Sequence, residues 1–236
     1  MTHLIADRRG KLLAMGTRIF LIRHGATELS AEDRFAGEVD VALSDAGRDQ
    51  ARRLANRLSS EKIAAIYSSP LGRTRETASI LAEPHSLTVE LCDGLREISH
   101  GHWEGKTRAE VEKEYPKEYQ RWEIDPFSFA PPGGETGLSV TARALPALLE
   151  IVERHSDDHV LVVSHKATIR LLLSNLLGFD PRKYRDRLDQ SPAALNIIDI
   201  KDVGYARLTL FNDTSHYATA EGSVPGVPSG RLSKFW

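Results

Sequence analysis

Cysteine is almost absent from this chain: Cys92 stands alone among 236 residues. A single thiol closes no intrachain disulfide and builds no cysteine-rich zinc site, and such sparse usage fits a reducing compartment. Long apolar runs are missing too. Stretches such as Val160-Leu161-Val162-Val163 and Leu171-Leu172-Leu173 fall far short of the ~20 residues a membrane helix needs. The first sixteen residues are broken up by Asp7, Arg8, Arg9 and Lys11, so they lack the apolar segment of a secretory signal. Neither sign of charge dominates. Lys and Arg total 31 against 33 Asp and Glu, a formal charge of −2, which argues against a broad basic face for nucleic-acid phosphates. The expectation is a cytoplasmic protein with no membrane and no nucleic-acid partner, in which any anion specificity is local.

The chain does contain a regular alternation of elements. Its 236 residues, 41% of them apolar, correspond to between one and two domains at ~150 residues each. Strand-like runs alternate with helix-like runs, the pattern of an α/β fold with a mainly parallel sheet. Arg18 to Ile22 is a short apolar run that opens at the polar Arg23-His24-Gly25. Ser44 is placed to cap a helix with Ala51, Leu54, Ala55 and Leu58 on one face. Ile63 to Ser68 reads as a second strand, with Ser69 as N-cap and Pro70 as first residue of the following helix. Thr88 to Leu91 is a weaker strand. From Gly101 to Gly137 no long clean period is visible, and Pro131-Pro132-Gly133-Gly134 forms turns, so this stretch is expected to be an inserted cap over the sheet. A helix from Leu138 to His155 should kink or restart at Pro146. Val160 to Ser164 reads as a buried strand leading through His165 into a helix over Ile169 to Leu177, ended by Gly178. Leu195 to Ile200 and Tyr205 to Phe211 should form an antiparallel hairpin at a sheet edge, the candidate pairing surface for a homodimer. The expected divisions are an N-terminal extension over 1–17, one catalytic domain over 18–216 with its cap at about 101–137, and a loose tail over 217–236.

In open α/β sheets, ligands bind beyond the carboxyl ends of the strands. Three of these ends carry reactive residue types: the first gives Arg23 and His24, the second leads to Arg73 one helical turn on, and the strand at Val160 gives His165. Two arginines and two histidines describe a pocket for a compact anion, since guanidinium forks match phosphate oxygens and helix N-termini add N–H donors. A neutral imidazole there can attack phosphorus while the cations offset charge building up on the equatorial oxygens. Phosphoryl transfer through a phosphohistidine is the chemistry these residues suit.

The same residues resemble the histidine phosphatase superfamily, the phosphoglycerate mutase-like group. Arg23-His24-Gly25-Ala26-Thr27 is similar to its opening signature, and Ser68-Ser69-Pro70-Leu71-Gly72-Arg73-Thr74-Arg75-Glu76-Thr77-Ala78 to its second-arginine block. Leu95-Arg96-Glu97-Ile98 with Trp103-Glu104-Gly105 resembles its acid block, and Val163-Ser164-His165 its fourth. A lone Arg-His-Gly is weak, but four ordered blocks running from about Arg18 to His216 are specific. The resemblance implies a three-layer αβα sandwich whose mostly parallel sheet has an antiparallel edge strand. It implies that His24 is the phosphorylated nucleophile, that Arg23 and Arg73 clamp the phosphate, and that His165 contacts its oxygens. Glu97 is implied as general acid and later base, a role that typically contributes ~10²–10⁴-fold. Thr27, Ser30, Gly37 and Lys166 are carried as further substrate- or phosphate-binding positions, and no metal and no cofactor are required.

Several positions hold a second reading. Arg73 could be a solvated helix residue paired to Glu76, as Arg75, about 200° around the helix, is expected to be solvated. Glu104 is a nearby alternative to Glu97. His100 and His102 could suggest a metal site with these glutamates, although i,i+2 spacing in a loop is unspecific and a substrate-facing or surface role fits better. His216 reads as a structural hydrogen-bonder beside the sheet. Lys166 stands where the family commonly has a small residue, and a cation at a helix N-terminus opposes the dipole. It either reaches an extra anionic group of the substrate, or the phosphate itself, or points to solvent. Glu28, Arg34, Phe35, Trp103 and Trp122 are cap candidates for substrate selection. Leu29-Ser30 replaces the Trp-Asn pair usual in mutases, Gly37-Glu38 stands near their Gly-Trp, and His165-Lys166 replaces the His-Asp of the phytase branch. The expected function is hydrolysis of a small phosphomonoester metabolite, with a mutase and a non-catalytic phospholigand-binding protein as the alternatives.

Overall fold

The structure, a computed structural model, describes residues 16–28, 34–202 and 204–217. Ser30, the expected extension before residue 16 and the expected tail after residue 217 lie outside the described residues.

The strand β1 (Thr17–Arg23) explains how the sheet is built. Its apolar run has no polar face because both faces are covered, as parallel strands require. Ile19 and Leu21 point into one core, and Phe20 and Ile22 into another on the opposite face. The elements that follow are α1 (Asp45–Leu58), β2 (Ile63–Ser68), α2 (Gly72–Ala82) and β3 (Val89–Leu91). Next come α3 (Arg108–Glu114), α4 (Pro116–Ile124), α5 (Gly137–Arg154), β4 (His159–Ser164) and α6 (Lys166–Leu176). The chain then forms a short α7 (Tyr184–Arg187), β5 (Leu195–Asp202) and β6 (Tyr205–Asp213). In space the strands run β3-β2-β4-β1-β5-β6. Neighbours are parallel from β3 to β1, and β5 and β6 are antiparallel, with β6 at the edge. Residues from α1 and α2 pack the Phe20 face, and residues from α5 and α6 the Ile19 face, which gives the three layers. No helix of the described residues is long and apolar enough to cross a membrane.

Register brings the chemistry together. Arg23 pairs with Ser164, and Ser68 with Val163, so β1, β2 and β4 end almost level and release His24, Ser69 and His165 side by side.

Ser44 caps α1 as expected, its hydroxyl accepting from Gly47 N at 3.1 Å, and Gly178 follows α6 with a φ of +72°. The helix after β2 starts later than expected, at Gly72. Ser69 Oγ meets His165 at 2.8 Å and accepts from Leu71 N only at 3.4 Å, while the N–H of Gly72 is taken at 2.8 Å by the Asp40 carboxylate. α6 begins at Lys166, three residues before the expected Ile169. α5 runs through Pro146 without ending. Proline removes the donor to the Ala142 carbonyl, but Ala142 and Pro146 both lie on the exposed face, where that carbonyl is open to solvent, while Val140, Ala144, Leu148 and Ile151 bury the other side. The stretch 101–137 holds two helices that no long period announced. α3 opens with a Thr107–Glu110 capping box, and Phe35, Trp103, Val111 and Trp122 form a small core of their own.

Candidate active site

His24 leaves the carboxyl end of β1 at the floor of a cavity of about 180 Å³. Its Nδ1 lies 2.7 Å from the carbonyl oxygen of Gly25, which can only accept, so Nδ1 carries the proton and Nε2 keeps its lone pair. Burial, then the adjacent guanidiniums of Arg23 and Arg73, hold this imidazole well below its usual range. The ring is neutral at pH 7 and its unprotonated nitrogen is the one not tied to the backbone.

Arg23 and Arg73 flank it. Arg23 is fixed by Nη1 donating to the Gln190 carbonyl at 2.6 Å, and Gln190 is held in turn by a reciprocal pair of 2.9 Å hydrogen bonds with Asn196. Arg73 is 2% exposed and gives Nη1 to the Val39 carbonyl and Nη2 to the Gly37 carbonyl, at 2.8 and 2.7 Å. The solvated reading of Arg73 is thereby excluded, and Glu76 pairs instead with Arg48 at 2.6 Å. Arg75 is exposed. Gly37 lines the cavity with φ +50°, and a Cβ there would collide with the Glu104 carboxylate. Thr27 is buried and also lines the cavity. His165 stands behind His24, their ring centroids 5.2 Å apart, and is fully buried instead of forming part of the cavity wall. Its Nε2 meets Ser69 Oγ at 2.8 Å, while its buried Nδ1 has no partner among the described residues.

Glu97 reaches the cavity from the turn after β3. Its carboxylate crosses the first turn of α6, accepting from Ala167 N at 3.2 Å and Thr168 N at 3.3 Å. Arg143 of α5 fastens that turn by donating to the carbonyls of Gly94, Arg96 and Glu97. Glu104 is occupied differently, accepting from Glu38 N, Ser99 Oγ and His100 N, which holds the loop together below the cavity.

The remaining wall is cationic and aromatic. Arg34, Phe35 and Trp122 line the cavity as the cap reading expected, but Trp103 is fully buried in the small core and Glu28 is exposed away from the lining. His100 faces the cavity with its ring against Phe35 and is pushed down to about 3 by burial and then by Arg108 and Arg185. His102 lies elsewhere, 3.0 Å from Glu118. His216 is half-buried beside the sheet, next to the Ala193 backbone, and its ring packs edge-on against Tyr217. Lys166 lines the cavity, half-buried. Sequence reasoning missed Arg108, Arg170, Tyr184 and Arg185, which also line it. A signal existed for Arg170, a lone cation inside the apolar Ile169 to Leu173 run, four residues after Lys166.

Two arginines, two histidines and a carboxylate thus converge where three parallel strands end. The family description "Histidine phosphatase superfamily (branch 1)" matches residues 19–214. The chain is 40% identical over 167 residues to phosphoserine phosphatase 1 of Hydrogenobacter thermophilus, covering 71% of this chain and 79% of that one. It is 36% identical over 168 residues to glucosyl-3-phosphoglycerate phosphatase of Mycolicibacterium vanbaalenii, covering 68% and 74%. YhfR of Bacillus stearothermophilus superposes with a TM-score of 0.79 at 34% identity, over 85% of this chain and 98% of that chain. The chain belongs to the histidine phosphatase superfamily, branch 1.

Proposed function

We propose that this chain is a metal-independent phosphatase that hydrolyses a small phosphomonoester through a phosphohistidine on His24. The observation that carries this reading is the fixed protonation of His24, with Nδ1–H on the Gly25 carbonyl and an unprotonated Nε2 between two arginines. Nε2 attacks phosphorus, the P–N bond forms, and the P–O ester bond breaks with its electron pair passing to the leaving oxygen. Glu97, held at the cavity wall by α6, delivers the proton that this oxygen takes up. Arg23 and Arg73 offset charge on the equatorial oxygens, and His165, buried edge-on against the His24 ring, backs the nucleophile. Water then attacks phosphorus, gives its proton to Glu97, and the P–N bond breaks to release inorganic phosphate.

The catalytic domain in this reading spans 18–216, with 101–137 as its cap. The phosphoserine and glucosyl-3-phosphoglycerate phosphatases among its relatives support a small phosphorylated metabolite as substrate. The test is a panel of phosphomonoesters with a mutase assay alongside. Release of inorganic phosphate that survives a chelator and disappears in His24→Ala is expected. Isomerisation without net hydrolysis, or loss of activity to the chelator, would overturn the reading.

A further inference from the structure

The cavity carries more positive charge than one phosphate needs. Besides Arg23 and Arg73, five cations line it, and Glu97 is the only carboxylate among the described lining residues. Three of the five are answered nearby: Arg34 lies 3.5 Å from Glu110, while Arg185 and Arg108 share Glu123 at 3.1 and 3.9 Å. The other two are answered least. Lys166 makes no hydrogen bond or ion pair with any described residue, with Asp189 the nearby carboxylate that favours its charge. Arg170 pairs with the same Asp189 at 3.4 Å, and that carboxylate is 71% exposed and already accepts from Gln190 N. Arg170 itself is 11% exposed, and its Nε is buried without a partner among the described residues.

Lys166 and Arg170 stand four residues apart on α6, so they project from one face of the helix into the same cavity. Two like charges held together away from water are costly unless an anion joins them. Arg23 adds to the repulsion, and burial with these arginines pushes the Lys166 ammonium down to about 7. Nothing in the proposed chemistry uses either residue.

We infer that Lys166 and Arg170 form a second anion subsite, separate from the Arg23–Arg73 cradle, and that the substrates are phosphomonoesters whose carbon skeleton carries a second anionic group. The inference rests on the phosphatase reading for the first phosphate. A carboxylate and a second phosphate share the required chemistry. Arg170 supplies a planar fork for either, and Lys166 a mobile point charge.

The test compares propyl phosphate, 3-phosphooxypropanoate and propane-1,3-diyl bisphosphate, which differ only at the far end. Wild type should favour at least one of the anion-bearing esters over propyl phosphate by tenfold or more in kcat/KM, chiefly through KM. The ester that gains more identifies the second group as carboxylate or phosphate. In Lys166→Gln and Arg170→Lys this preference ratio should fall at least fivefold. A ratio near one in wild type, or a ratio unchanged within twofold in both variants, would overturn the subsite. Calorimetry on the wild-type protein with the matching non-hydrolysable phosphonates separates the two levels of the account. Preferential binding of the two-anion phosphonates without turnover of any ester would sink the phosphatase reading and leave the subsite standing.

Discussion

Arg143 donates from Nη2 to the backbone carbonyl of Glu97 at 2.9 Å. The same guanidinium takes the carbonyls of Gly94 and Arg96 and both oxygens of the Glu135 carboxylate. One side chain of α5 therefore positions the residue proposed to carry the proton, without lining the cavity. Arg143→Lys keeps a charge but loses the fork, and kcat should fall about tenfold with little change in KM, the effect of about 1.4 kcal/mol of lost positioning. Adding Glu97→Gln should cost less in that background than in wild type. Full additivity of the two changes would show that Arg143 does not act through Glu97.

The two nearby glutamates should separate cleanly. Glu97→Gln leaves its contacts with α6 largely possible but removes the proton, so turnover should drop by about 10²–10⁴-fold at unchanged thermal stability. Glu104→Ala strips acceptors from Glu38 N, Ser99 Oγ and His100 N, and should cost about 1–3 kcal/mol of stability. Glu104→Gln, which retains an acceptor oxygen, should recover most of it. Thermal melts beside steady-state rates check both, and a Glu97→Gln enzyme with wild-type turnover contradicts the assignment.

Acid should destabilise this fold through its buried imidazoles. Burial holds His24 and His165 well below 6.5 and His100 down to about 3. Between those values and 6.5 the unfolded chain binds protons that the folded chain refuses, so stability falls as pH drops through 6.5. His100 contributes down to about pH 3. His100→Phe should therefore lose less Tm than wild type between about pH 7 and pH 5, and identical slopes would contradict the burial argument.

Trp103 sits at the centre of the small cap core with its Nε1 on Glu118 at 3.3 Å. Trp103→Ala should cost about 3–5 kcal/mol. Trp122→Ala, on the cavity wall, should also change KM. Equal effects of the two on KM at matched stability would argue against the division between core and wall.

The strands were legible because a run buried on both faces is apolar throughout, as Ile19 to Ile22 and Val160 to Val163 are. Arg23, His24, Arg73 and Glu97 were legible as residues of one cavity because they sit at strand ends or just beyond them, where local sequence and position coincide. Arg108 and Arg185 could not be told from surface arginines, since only the docking of α3 and α7 turns them inward, whereas Arg170 was marked by the apolar run around it. Arg143 was hidden for the same reason: its partners are backbone carbonyls 46 to 49 positions away. Pro146 misled because its penalty depends on which face of the helix loses a donor, which periodicity alone does not decide. The Thr107–Glu110 capping box was visible in the sequence and would have announced α3.

The account stands on His24 as nucleophile, and rapid quench of the enzyme turning over a phosphate-labelled ester tests it most directly. A label that is stable to base, labile to acid, confined to His24 and formed within the first turnover is the predicted result. Turnover with no such phosphohistidine, or turnover persisting in His24→Ala, would contradict it.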